Sequence, residues 1–222
     1  MRHRLAAFCL AAMVFAVPAA NLPSFAQSTP AQPKYGPLPR PETQPRPVPD
    51  HAGPGPKPED IISALTSDIN GDAMLDRILL SQNEDADATL WVYLGKDKPG
   101  GKDFHRPIVA KSIVFAGFAF GQQPSLEMNR NGTSLLVRSQ NDSIGRTSWN
   151  QTLTIAWRNS RLVVAGLTYQ FQDKLEMNQS GGCDVNFLSG RALRNGKPHA
   201  EKVAPLDLSA FDPDKLPKAC EF

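Results

Sequence analysis

Leu90, Val92 and Leu94 alternate with Trp91 and Tyr93, and this period of two most limits the folds open to the chain. Successive side chains on an extended backbone point to opposite sides, so such a segment buries one face only as a β-strand. Leu153, Ile155 and Trp157 alternate in the same way with Thr152, Thr154 and Ala156. In the next segment Val163, Ala165, Leu167, Tyr169 and Phe171 are expected to line one face. Turn formers separate these runs: Asn131-Gly132, Arg158-Asn159-Ser160 and Asn195-Gly196, with a polar Gly95–Gly101 loop and Gly181-Gly182 opening a further strand. No long amphipathic helix is visible, and Asp60–Leu65 is expected as a short one. The expected fold is mainly β, a single antiparallel meander or sandwich-like domain of about seven to nine strands over residues 59–222.

The segment before that domain has a different character. Arg2 and Arg4 precede the apolar stretch Leu5–Val17, and Ser24-Phe25-Ala26 offers small residues at a cleavage site. Residues 1–26 therefore read as an export signal, and the stretch is shorter than the ~20 residues a membrane span needs. Residues 27–58 hold eleven prolines in 32 positions and few aliphatic side chains, so a disordered Pro-rich linker is expected. The expected location is periplasmic or secreted, in a bacterium. The full chain has 24 Lys+Arg and 22 Asp+Glu. Cleavage would remove Arg2 and Arg4, leaving 22 of each sign, which argues against nucleic acid as a partner. It would also remove Cys9, leaving Cys183 and Cys220 as one disulfide in an oxidising compartment. No segment after the signal is expected to span a membrane.

Asp68, Asn70, Asp72 and Asp76 put oxygen-bearing side chains at positions one, three, five and nine of a nine-residue window. A short loop with that spacing can wrap a hard cation such as calcium, with Met74 adding its backbone carbonyl. The same residue types are also good turn formers, and the loop can keep its shape without an ion. An EF-hand is excluded, because its glycine and bidentate glutamate positions hold Ala73 and Leu79. Asp-x-Asn-Gly-Asp-x-x-x-Asp followed by the aliphatic run Ile78-Leu79-Leu80 resembles the calcium loop of integrin-like FG-GAP or VCBS-type modules. That resemblance covers Asp68 to about Leu80. It implies calcium ligands at Asp68, Asn70, Asp72 and Asp76, with Met74 through its carbonyl, in a loop joining two strands. The chain departs from the pattern at Ala73, where glycine is usual, and in having a single copy. A second element, Asp184-Val-Asn-Phe-Leu-Ser-Gly-Arg191, is similar to one in small exported bacterial proteins of unassigned role.

No catalytic motif stands out. His51, His105 and His199 lack metal-ligand spacing, and neither a G-x-S-x-G elbow nor a phosphate-binding glycine loop occurs. The expectation is a non-enzymatic domain that binds an envelope protein or glycan. The alternative is an envelope hydrolase, or an inhibitor of one, with an aromatic or carboxylate-lined cleft. For that cleft Glu127 and Glu176 are the candidate carboxylates, and Trp91, Trp149, Trp157, Tyr93 and Tyr169 the candidate platform.

Overall fold

Among the described residues, fourteen antiparallel strands, eight of them seven residues or longer, fold into two main sheets and one small hairpin. The structure, a computed structural model, describes residues 55–82, 86–117 and 122–222. The export signal and most of the proline-rich linker lie outside the described residues.

The smaller sheet runs β1 (Ile61–Ser67), β2 (Asp76–Gln82), β3 (Asp87–Tyr93) and β6 (Ile108–Phe115), in that order. The expected helix over Asp60–Leu65 is a 3-10 turn at Pro58–Asp60 followed by β1. β-branched Ile61 and Ile62 favour an extended backbone, and β2 pairs with it from Ile61↔Ser81 to Ser67↔Asp76. The expected loop at Gly95–Gly101 is likewise a hairpin, β4 (Gly95–Lys98) and β5 (Gly101–Phe104), turning at Gly100 with φ +83°.

The larger sheet is ordered β13 (Lys197–His199), β12 (Arg191–Arg194), β11 (Ser180–Asn186), β10 (Arg161–Asp173), β9 (Thr147–Arg158), β8 (Leu135–Asn141) and β7 (Ser125–Met128). The short β14 (Leu206–Asp207) pairs with the first part of β10, where β11 does not reach. Asn159 and Ser160 close the β9–β10 hairpin, and Asn195 and Gly196 close β12–β13. All four have positive φ, as a two-residue hairpin loop of the primed kind needs. The Asn131-Gly132 turn is longer. Asn129 Oδ1 accepts from the amides of Thr133 and Ser134, and Gly132 alone takes positive φ.

The expected single face Val163–Phe171 is split. β10 holds an irregularity between Val164 and Gly166, so that Val164 opposes Ile155 and Gly166 opposes Thr154. Ala165 is the extra residue. Leu162 and Val164 before it share a face with Leu167, Tyr169 and Phe171 after it, while Val163 and Ala165 turn the other way. Both sheets feed one buried cluster. Ile78, Leu80, Leu90 and Val92 come from the smaller sheet, and Val137, Leu153, Ile155 and Leu167 from the larger. Cys183 on β11 and Cys220 have Cα atoms 5.1 Å apart, with their sulfurs bonded. A bridge over 37 positions stabilises by about 4 kcal/mol in the chain-entropy model. Glu201 holds the same tail, since its carboxylate accepts from the amides of Lys218 and Ala219, both at 3.0 Å.

Candidate functional site

The Asp-rich loop joins β1 to its neighbour β2 and closes on its own amides. Asp68 Oδ1 accepts from the amide of Gly71 at 2.6 Å and Asp68 Oδ2 from that of Ala73 at 2.8 Å. Asn70 Oδ1 accepts from the Asp72 amide at 3.1 Å, and Asp72 Oδ1 from the Met74 amide at 2.8 Å. Asp72 Oδ2 takes the Asn70 side-chain N–H at 2.8 Å. These are the local side-chain-to-backbone bonds that make Asp and Asn turn residues. Gly71 and Ala73 both take positive φ, +78° and +65°. The left-handed conformation that suits a glycine at position 73 is therefore held by an alanine, at some steric cost.

Asp76 differs from the other three. It is fully buried at the foot of the loop, where Oδ2 accepts from the Ile69 amide and Oδ1 from the Gly95 amide, both at 2.8 Å. Burial pushes its carboxyl above the ordinary value. The two amides oppose that shift, and the nearby Asp72 and Asp68 charges add to it. The donor set is all oxygen, as a hard cation requires. Among the described residues, however, no three acidic, histidine or cysteine side chains converge on one point. Asp68, Asn70 and Asp72 each hold loop amides first, and Asp76 braces the loop from beneath.

A second site lies on the outer face of the larger sheet, where an open groove of about 900 Å³ crosses β9 to β12. Register builds its floor. Asn150, Gln170 and Gly182 stand in one row across β9, β10 and β11. Ser148, Gln172 and Ser180 stand in the next, and Thr168 and Asp184 with Leu193 on the other side. Alternation that buries Leu167, Tyr169 and Phe171 sends Thr168, Gln170 and Gln172 outward, so the groove follows from the same pattern as the core. Asp142 and Asp184 are the charged residues of the lining, which contains no Lys, Arg or His. Arg138 shares this face from β8, but it is tied to Glu127 and to Thr152 Oγ1. Asn150, Thr168 and Gln170 make no side-chain hydrogen bond among the described residues. The sheet floor stays low beside Gln170 because a Cβ on Gly182 would come 2.7 Å from the Tyr169 carbonyl.

The expected aromatic platform forms only in part. Trp149 and Tyr169 have ring centroids 6.1 Å apart and join a cluster with Phe115, Phe171 and Phe222. Trp91 donates to Ser81 Oγ in the smaller sheet, and Trp157 packs against the core opposite Leu162. The structure does not bring Glu127 and Glu176 together as a pair: Glu127 belongs to Arg138 on β8, and Glu176 to Arg146 at 2.5 Å. His105 and His199 lie apart from the groove lining, and His51 lies outside the described residues. Sequence reasoning missed Gln170, Asn150 and Thr168, because polar residues at alternate strand positions look like any wetted face. Compared with known proteins, the chain matches no family model, no curated protein and no solved structure.

Proposed function

We propose that the chain is an exported, non-enzymatic β-domain of the bacterial envelope, periplasmic or secreted, which binds another envelope component through the outer face of its larger sheet. The observation that carries this reading is the groove, an open floor on which Asn150, Thr168 and Gln170 make no side-chain hydrogen bond among the described residues. Such groups are costly to enclose unless a ligand satisfies them, and they then give orientation and selectivity. The Cys183–Cys220 bridge supports an oxidising compartment, and the 1–26 segment supports export. Among the described residues no helix is long and apolar enough to cross a membrane.

The hydrolase reading has Asp142 and Asp184 in the same groove. Asp142 follows β8 and Asp184 lies on β11, three strand spacings away, which is on the order of 14 Å. Glycosidase carboxyl pairs stand roughly 5–9.5 Å apart, so this separation argues against paired acid–base chemistry. Calcium is proposed only as a stabiliser of the Asp68–Asp76 loop. Asp68, Asn70, Asp72 and the Met74 carbonyl are the ligands it would use there, with Asp76 supporting them.

The binding reading is tested by placing a photo-crosslinking side chain at Gln170 and, as a control, at exposed Arg106, in cells expressing the full chain. A crosslinked species formed from Gln170 and absent from Arg106 is expected. Equal capture from both positions, or none from either, sinks the proposal. For calcium, the ion should raise Tm in the wild type and leave Asp72→Ala unmoved; an unchanged Tm in both removes the metal.

A further inference from the structure

We propose that the occupant of the groove on β9–β12 is a neutral, hydroxyl-rich chain, an oligosaccharide, gripped by the Asn150–Gln170 amide pair and flanked by Thr168, Gln172 and Asp184. The inference rests on the binding reading above and names its ligand class.

Charge narrows the choice first. The lining carries two carboxylates and no cationic side chain, so a polyanion such as a nucleic acid or an anionic glycan meets two like charges and no counter-charge in the lining. Backbone geometry narrows it next. An extended peptide recognised by strand addition needs an open sheet edge with unpaired N–H and C=O groups. The groove floor lies in the sheet interior, where β10 is paired by β9 on one side and by β11 on the other from Gly166 to Gln172. Only side chains are on offer.

Those side chains fit hydroxyls. Asn and Gln present a donor and an acceptor on adjacent atoms, and Thr and Ser present both on one. A sugar hydroxyl is likewise donor and acceptor, so each contact can be satisfied in either sense. Asn150 and Gln170 oppose one another on β9 and β10, and Gly182 continues their row with no side chain to block it. A ligand lying along that row crosses the strands with a polar grip at each step. Asp184 adds an acceptor on the next row, and Leu193 an apolar contact beside it.

The test uses the full mature chain, isotope-labelled, titrated with chitohexaose, cellohexaose and maltohexaose as neutral probes and with polygalacturonate as an anionic one. At least one neutral probe should shift the amides of β9–β11 while leaving those of β1–β3 in place. The double variant Asn150→Ala/Gln170→Ala should weaken that binding by about tenfold or more, since it removes two hydrogen-bonding side chains. Both side chains are exposed, so its unfolding midpoint should match the wild type. Polygalacturonate should produce no shift. If no neutral probe shifts the groove, if the double variant binds as tightly as the wild type, or if the polyanion binds at the same amides, the glycan assignment is overturned. A specific Gln170 crosslink with no oligosaccharide shift overturns the ligand class alone. Absence of both overturns the binding reading with it.

Discussion

Two aspartates, one in each main sheet and each beside a loop between neighbouring strands, hold that loop in the same way and are shifted in opposite directions. Asp76 at the start of β2 accepts from the amides of Ile69 and Gly95. Asp173 at the end of β10 accepts from the amides of Leu175 at 2.8 Å and Glu176 at 2.9 Å. Asp173 also has a cation, because Arg146 Nε lies 2.5 Å from its Oδ2. The Glu176 amide, above all, together with the Leu175 amide and Arg146, pulls Asp173 below the ordinary carboxylate value against its partial burial. Asp76 has amides but no cation, and burial carries it upward. Two amides alone do not offset the desolvation of a fully buried carboxylate, whereas two amides and a guanidinium offset the lesser desolvation at Asp173.

The largest way to break the comparison is Asp76→Ala. It strands the Ile69 and Gly95 amides in a buried site, at about 1–3 kcal/mol each, so a loss of about 2–6 kcal/mol in urea unfolding is expected. A loss under about 1 kcal/mol would mean that water replaces the carboxylate. Arg146→Ala should cost less, because Arg146 is half exposed and Asp173 keeps its two amides. It should raise the Asp173 pKa, read by carboxyl NMR, towards the behaviour of Asp76; an unmoved value would mean the amides alone set it.

The two aspartates should also leave opposite marks on pH-dependent stability. A carboxyl raised in the folded state binds more protons folded than unfolded, so its site gains stability as pH falls through the raised value. The stability of the wild type relative to Asp76→Asn should therefore grow on acidification from neutral. A lowered carboxyl contributes stability above its ordinary pKa and loses it as pH falls through the lowered value. Relative to Asp173→Asn, the wild-type advantage should shrink in that more acidic window. Parallel profiles for the two pairs would remove the distinction. The smallest effect is expected from Ala73→Gly, which relieves an alanine held at positive φ. The left-handed penalty of roughly 1–2 kcal/mol is partly returned as glycine's chain entropy, leaving a gain of several tenths of a kcal/mol. A lower denaturation midpoint would show that the loop does not hold the alanine under strain.

The long strands were legible because a period of two needs several residues to declare itself, and Leu90–Leu94 and Thr152–Trp157 supply them. β13 and β14, at three and two residues, have no period to read, and β4–β5 is written in Gly, Lys and Asp up to its last residue, Phe104. Asp68 to Asp76 was legible as a loop between strands. That Asp76 lies beneath the loop as a brace was not, because burial of a carboxylate depends on Ile69 and on Gly95, nineteen positions away. Arg146 escaped for the same reason, since its partner Asp173 is twenty-seven positions off. The groove shares the pattern that revealed the core. The meeting of Asn150, Gln170 and Gly182 in one row belongs to the assembled sheet, not to any local run of residues.

Ala165 has a consequence for how this chain tolerates change in length. It is the residue that β10 has in excess of β9, so deleting it would leave Val164 opposite Ile155, Gly166 opposite Thr154 and Leu167 opposite Leu153, with every later side chain on its present face. Straightening β10 with Ala165 kept in the ladder would do the reverse. With the first part of β10 fixed, Leu167, Tyr169 and Phe171 would turn out to water and Thr168, Gln170 and Gln172 into the interior. The longest strand thus has one residue it can lose without exchanging the core and the proposed recognition face, and the separation of the two depends on that residue standing outside the alternation.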